Sequence, residues 1–190
     1  MTQNHTSHFS MEYQTDRLIL RVLTSDYAED VCDFLSTNSS VFEKYEPALP
    51  ANYYTTDYQA LILSSEMKLA LKTDLIRYYV FEKSNPNKII GTVCLHDIRR
   101  SFYSCCEIGY KFDQSHWHKG YATEAVIMAV SIAFAALNLH RVFARVLPEN
   151  TASIRLLERI SFVNEGIERQ CICINGIWQD HLRFSILNEG

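Results

Sequence analysis

The sequence predicts a single-domain α/β fold, a mixed and mostly antiparallel twisted sheet flanked by helices. Three observations point to it. The runs "IRYYVFEK", "KIIGTVCLHDI" and "YSCCEIGYKF" follow one another as strand-like segments and read as an antiparallel meander. The pattern then alternates helix, strand and helix, which requires a sheet with mixed pairing. Finally, Asn175-Gly176 stands between two further strand-like runs, the strongest short hairpin signal. A length of 190 residues suits one compact domain with a sizeable core.

The elements can be justified in chain order. Residues 1–14 open on the polar "MTQNHTSHFS", which lacks the cationic-then-apolar layout of a signal peptide. They are expected to form a flexible arm, with the folded domain at 15–188. "DRLILRV" (16–22) alternates apolar and polar residues as a strand does. "SDYAEDVCDFL" has helical spacing through Ala28, Val31, Cys32 and Leu35, and the proline-bearing "EPALPAN" is a loop. A second helix is expected from Thr56 to about Leu71, with Thr56 and Gln59 at capping-box spacing. "SNPN" is a tight-turn sequence between the first two meander strands, and the polar "DIRRSF" joins the next two. "GYATEAVIMAVSIAFAAL" reads as one long apolar-faced helix beginning at or just after Gly120, "HRVFARV" as a strand and "NTASIRLLERI" as a shorter helix. Asn150 is placed to cap that shorter helix.

Composition narrows the function classes. Hydrophobic residues make up 47% and charged residues 21%, with a net charge of −4, so no basic surface invites nucleic acid and no run is long and apolar enough for a membrane span. The expectation is a cytoplasmic protein, monomer or homodimer. Six cysteines, at positions 32, 94, 105, 106, 171 and 173, form no C-x-x-C pair of the zinc or redox kind. They read as reduced core thiols, and no metal is expected. The aromatic run "YYVFEK" reads as core rather than a base-stacking surface.

"HWHKGYATEA" (116–125) carries the first chemical signal. The first N–H groups of the long helix have no partner within it and carry partial positive charge. Gly120 has no Cβ, so a ligand can approach the main chain there, and Lys119 and His118 add positive charge at the rim. Such a turn suits the oxygens of a pyrophosphate. It is not a P-loop, because the lysine precedes the glycine, nor a dinucleotide turn, because only one glycine is present.

A Q/R-x-x-G-x-G/A motif between a strand and a long helix, followed by a strand, an asparagine and a short helix, resembles the GNAT superfamily of acyl-CoA-dependent N-acetyltransferases. "GYATEA", "PENTASIRLLERISFVNEG" and "NGIWQDHLRFSIL" look like its Rim-type branch, the ribosomal-protein N-terminal acetyltransferases and their relatives. The likeness runs from about Asp16 to Leu187, nearly the whole chain. Trp117 stands where the pattern has Gln or Arg, which puts a side-chain contact there in question, while Gly120 and Ala122 satisfy the rest.

The resemblance implies a GNAT fold with acetyl-CoA in a cleft where two neighbouring strands splay apart. "CEIGYKF" would be the strand that pairs with the pantetheine arm, lined by Tyr110, Lys111 and Phe112, and "HRVFARV" its splayed partner. Trp117, His118, Lys119, Gly120, Tyr121, Ala122 and Thr123 would hold the pyrophosphate. Asn150 matches the asparagine that contacts the pantetheine amide, a role compatible with capping. The implied reaction is direct attack of an amine on the thioester, with no covalent enzyme intermediate.

Glu107 is the first candidate base, relaying the proton through water, with a purely strand-organising role as its alternative. His96 is the second. The family's tyrosine seven residues after the asparagine is Leu157 here, so that acid is absent. Ser153, three residues after Asn150, matches a serine given the acid role in the Rim-type branch, although a first-turn serine is also common for capping. Trp178 and Asp180 fit the family's G-x-W-x-D and are expected to be structural, the tryptophan filling space between sheet and helix. Arg99 and Arg100 are expected in a solvated loop bordering the acceptor entrance. The helix from Thr56 and the loop before it are expected to form the acceptor wall.

The branch implies a protein N-terminal α-amine as acceptor, with a small-molecule amine as the rival within the enzyme class. A non-catalytic acyl-CoA sensor, and a hydrolase using a cysteine of "SCCE", are the alternatives outside it.

Overall fold

The structure is a computed structural model, and it describes residues 9–189. Eight strands form one sheet in the order β1-β2-β3-β4-β5-β6-β8-β7. β1 (Glu12–Gln14) and β2 (Leu18–Arg21) pair antiparallel at one edge. β3 (Ile76–Glu82), β4 (Asn85–Arg99) and β5 (Cys105–Phe112) extend them as the expected meander. β6 (Arg141–Val146) is parallel to β5, and the hairpin of β7 (Val163–Ile174) and β8 (Ile177–Leu187) closes the sheet. Asn175 and Gly176 both have positive φ, 50° and 80°, as a two-residue hairpin turn requires.

Helices cover both faces. α1 (Ala28–Thr37), the short α2 (Ser39–Phe42) and α3 (Thr56–Lys72) lie on one face; α4 (Tyr121–Ser131) and α5 (Thr151–Arg159) lie on the other. The run "YYVF" in β3 is buried throughout because its period-2 alternation feeds two cores. Tyr78 and Val80 join the cluster containing Ala125, Val126, Ala129 and Leu157. Tyr79 and Phe81 join the cluster containing Val31, Phe34, Leu35 and Leu63.

Several local expectations are corrected. Residues 1–8 of the expected arm lie outside the described residues, and Glu12–Gln14, inside its bounds, form a paired strand instead. Thr55, not Thr56, caps α3, its hydroxyl accepting from the Tyr58 N–H at 3.3 Å; Gln59 is buried and donates to the Tyr53 carbonyl at 2.6 Å. The β3–β4 turn is shorter than "SNPN", and Asn85 already pairs with Glu82. Pro86 is tolerated in that exposed first part of β4, where irregular pairing asks for fewer ladder donors. The long helix changes after Ser131 into a π-helical segment, Ile132–Ala136, with the Leu137 N–H bonding back to the Ile132 carbonyl at 3.1 Å. Trp178 does not fill space between sheet and helix. It is 61% exposed on the closing hairpin, where most of the ring stays in solvent. Asp180 is structural, accepting from the Gln170 N–H at 2.8 Å.

All six cysteines are unpaired, and Cys94, Cys105 and Cys106 are buried. Burial pushes the Cys106 thiol up to about 12, which removes the thiolate a nucleophile needs. Among the described residues no helix is long and apolar enough to cross a membrane, and no group of three or more His, Cys, Asp or Glu is placed to hold a metal.

Candidate active site

The parallel pairing of β5 with β6 covers only Cys105–Glu107 against Arg141–Phe143. Beyond it β6 stays with β8, whereas β5 stays with β4. The edge of β5 from Ile108 to Phe112 therefore faces a wedge with no ladder partner in it. Its main-chain groups there are free to bond a ligand.

The side chains of Tyr110, Lys111 and Phe112 are already committed, so any contact from this edge comes from backbone. Tyr110 packs on the α4 and α5 face, its hydroxyl donating to the Ser153 carbonyl at 3.4 Å. Lys111 points to the opposite face, donating to Glu46 Oε1 at 2.7 Å. The Phe112 ring lies on Gly91, where an added Cβ would come within 2.4 Å of it.

At the end of the wedge, Gly120 is the N-cap of α4 with φ 80° and no side chain to cap the helix. The first-turn N–H groups at Tyr121, Ala122 and Thr123 are thus left for another acceptor. The loop leading there is held from below. Trp117 Nε1 donates to the Phe112 carbonyl at 2.9 Å, Asp113 Oδ1 accepts from the Ser115 N–H at 2.9 Å, and His116 bonds both Asp113 and Glu82. His118 has φ 61° in this tightly wound turn and is exposed, as is Lys119.

Across the wedge, Asn150 caps α5, its Oδ1 accepting from the Ser153 N–H at 3.1 Å. The Asn150 Nδ2 group has no protein partner among the described residues, and the Ser153 hydroxyl lies beside the Tyr110 hydroxyl as its side-chain hydrogen-bond partner. Leu157 is fully buried in the core.

A model of the acetyltransferase (GNAT) domain matches residues 17–163 of this chain. The chain belongs to the GNAT acetyltransferase family. It is 36% identical over 171 residues to the probable N-acetyltransferase YjcK of Bacillus subtilis, covering 90% of this chain and 94% of that one. It is 27% identical over 170 residues to the [ribosomal protein uS5]-alanine N-acetyltransferase of Escherichia coli, covering 88% of this chain and 86% of that one. Among solved structures, the ribosomal-protein-S5-alanine acetyltransferase of Vibrio fischeri superposes with a TM-score of 0.88 at 27% identity, covering 95% of this chain and 98% of that one. The protein is an acetyl-CoA-dependent N-acetyltransferase with the GNAT fold.

In this GNAT domain, Glu107 is buried and bonded to Arg145, whose Nε donates to Glu168 at 2.5 Å. Arg183 bonds the other oxygen of Glu168, and Arg141 bonds Glu165, so the polar face of β6–β8–β7 is a chain of alternating charges. Burial pushes the Glu107 carboxyl above its ordinary range, and Arg145 pulls it back only in part. His96 stands opposite Glu107 in register across β4 and β5.

Next to this pair is a cavity of about 130 Å³ lined by Arg77, Thr92, Cys94, His96, Gly109 and Lys111. Arg77 is paired with Glu66 of α3 at 2.6 Å, and Glu46 comes from the loop before α3, the segment expected to form the acceptor wall. Arg99 ends β4 in an ion pair with Asp97, and Arg100 donates to the Thr73 hydroxyl at 2.5 Å; neither lines this cavity.

Sequence reasoning missed the clamp on the first turn of α4. Glu124 accepts from the Thr15 hydroxyl at 2.5 Å and the Arg17 N–H at 2.9 Å, and pairs with the Arg17 guanidinium at 2.7 Å. Arg17 also donates to the Lys119 carbonyl at 2.9 Å and lies over the Tyr121 ring. The only signal for it was an acidic residue in a helical first turn, which the helix dipole favours anywhere. Arg145 was visible only as an outlying cation in a strand.

Proposed function

We propose that this acetyltransferase works in the cytoplasm and transfers the acetyl group to the α-amine at a protein N-terminus, by direct attack in a ternary complex. The observation that carries the reading is the wedge opened where β5 leaves β6 after Glu107, with the uncapped amides of α4 at its end. Acetyl-CoA supplies the activated acetyl thioester when bound. The edge of β5 at Tyr110–Phe112 would receive its pantetheine amides. The amides from His118 to Thr123 would receive its pyrophosphate, with Lys119 adding charge and Trp117, its main-chain N–H spent on the Gln114 carbonyl, holding the turn. Asn150 Nδ2 would bond the arm, and the Ser153 hydroxyl would donate a proton to the departing sulfur. Glu107 and His96 stand together where the acceptor amine must lose its proton.

The α-amine is favoured on energetic grounds. Its pKa is about 7.7–8.0 against about 10.4 for lysine, so neutralising it at pH 7 costs roughly 1 kcal/mol rather than roughly 4–5. Two relatives whose names specify ribosomal-protein alanine as the acceptor support the same choice.

Two measurements test this function. Calorimetry should detect CoA binding that Gly120→Val abolishes, because a β-branched residue is strained at φ 80°. Thiol release from acetyl-CoA should be seen with short peptides beginning Ala, Ser or Met. Turnover with spermidine alone would transfer the acceptor to small amines.

A further inference from the structure

We propose that His96 takes the proton from the acceptor amine, while Glu107 stays committed to its ion pair with Arg145. This deepens the acetyltransferase reading above and rests on it.

Four observations converge on His96. First, the ring lies against Gly109, where an added Cβ would sit 3.6 Å from Nε2, so no β5 side chain separates the imidazole from the cavity. Gly109 is two residues beyond Glu107, at the point where the wedge begins. Second, β4 carries one extra residue immediately after His96. Asp97 has φ 50°, and the register breaks between His96 and Arg99, a bulge that re-aims the neighbouring side chain. Third, the charged groups around the cavity are already in ion pairs, Arg77 with Glu66, Lys111 with Glu46 and Glu107 with Arg145. The imidazole itself has no protein partner among the described residues. Fourth, the Thr92 hydroxyl is buried in the same cavity with no hydrogen-bond partner, the mark of a space that receives a polar guest.

Electrostatics agree. Burial lowers the His96 pKa and the Arg77 and Arg145 cations lower it further, against Asp97, so the ring is neutral at pH 7. The titratable groups around it are Asp97 and Cys94 of its own strand, Arg77 of β3, Glu107 and Lys111 of β5, Arg145 of β6 and Glu46 of the loop before α3, with Glu66 and Glu168 as the ion-pair partners of Arg77 and Arg145. Protonating Glu107 instead would sacrifice its ion pair with Arg145.

The step balances as follows. The acceptor arrives as an ammonium and gives one proton to His96. Its freed lone pair forms the C–N bond to the acetyl carbon, while the C–S bond breaks and leaves its electrons on sulfur. The sulfur takes a proton from the Ser153 hydroxyl, which regains one from the amine nitrogen, and His96 returns its proton to solvent.

The test compares kcat/KM against pH for the unaltered chain, His96→Gln and Glu107→Gln, using acetyl-CoA with Ala-, Ser- and Met-initiated peptides and spermidine. In the unaltered chain the acid limb should fall below about pH 6.5, the ordinary imidazole value. His96→Gln should lose about 100-fold or more, keep CoA binding by calorimetry, and move its limb to the amine's own value, about 7.7–8.0 for a peptide. Added imidazole should restore part of the rate. Glu107→Gln should be slower with its limb still low. If Gln at 96 disturbs CoA binding, His96→Asn takes its place. A low limb retained in the His96 variants, or lost in Glu107→Gln alone, overturns the inference. Turnover restricted to spermidine would refute the peptide acceptor while still testing His96 on that amine. No turnover with any of these amines would overturn both.

Discussion

The indole N–H of Trp117 donates to the main-chain carbonyl of Phe112 at 2.9 Å, tying the turn before α4 to the last residue of β5. The edge that faces the wedge and the amides at its end are therefore one rigid unit. The position where the family pattern carries Gln or Arg has been given to holding that unit together.

Trp117→Phe keeps the ring and removes the donor. It should cost about 1 kcal/mol of stability and weaken CoA binding several-fold, as read by chemical denaturation and calorimetry. An unchanged CoA affinity would mean the turn is held by Asp113 and His116 alone.

Asn150 separates its two roles by substitution. Asn150→Ala loses the cap and should destabilise the fold by about 1 kcal/mol. Asn150→Asp keeps an oxygen for the Ser153 N–H but has no Nδ2, so stability should hold while the KM for acetyl-CoA rises. Equal KM values for Asp and Asn would confine this residue to capping.

Leu157 occupies the position of the family's tyrosine and is fully buried. Leu157→Tyr should therefore overpack the core, costing about 1–3 kcal/mol, without raising kcat. A faster enzyme would show that the site lacks an acid that tyrosine can supply.

The Glu124 clamp predicts a pH dependence of stability. Burial would raise this carboxyl, but the hydrogen bonds from Thr15 and Arg17, with the Arg17 charge, hold it below its ordinary 4.5. Its stabilisation is thus complete above about pH 4.5 and is lost as pH falls through the lowered folded value. Glu124→Gln should remove about 1 kcal/mol at pH 7 and progressively less as pH is lowered below about 4.5, by denaturant titration across that range.

Much of the strand and helix order was legible because period and punctuation are local: the alternation in β2, the Asn175-Gly176 turn and the glycine opening α4. The cleft was legible only through family resemblance, because splaying of β5 from β6 is a pairing event between distant segments. Trp178 was misjudged because apolar size alone does not say which side of a terminal hairpin a ring faces. The His96 bulge left no mark either. Asp97 adopts φ 50° without a glycine, and nothing in "CLHDIRR" distinguishes it from a regular strand. Thr92, Glu46 and Arg77 converge from three separate segments, which no spacing rule connects.

Arg17 and Glu124 lie 107 positions apart, so the anion-binding turn is fastened by the opening of the polypeptide. Trimming the front end through residue 17 would spare every residue of the wedge yet free the first turn of α4. An apparently harmless N-terminal deletion would then register as poorer cosubstrate affinity, far from the cut.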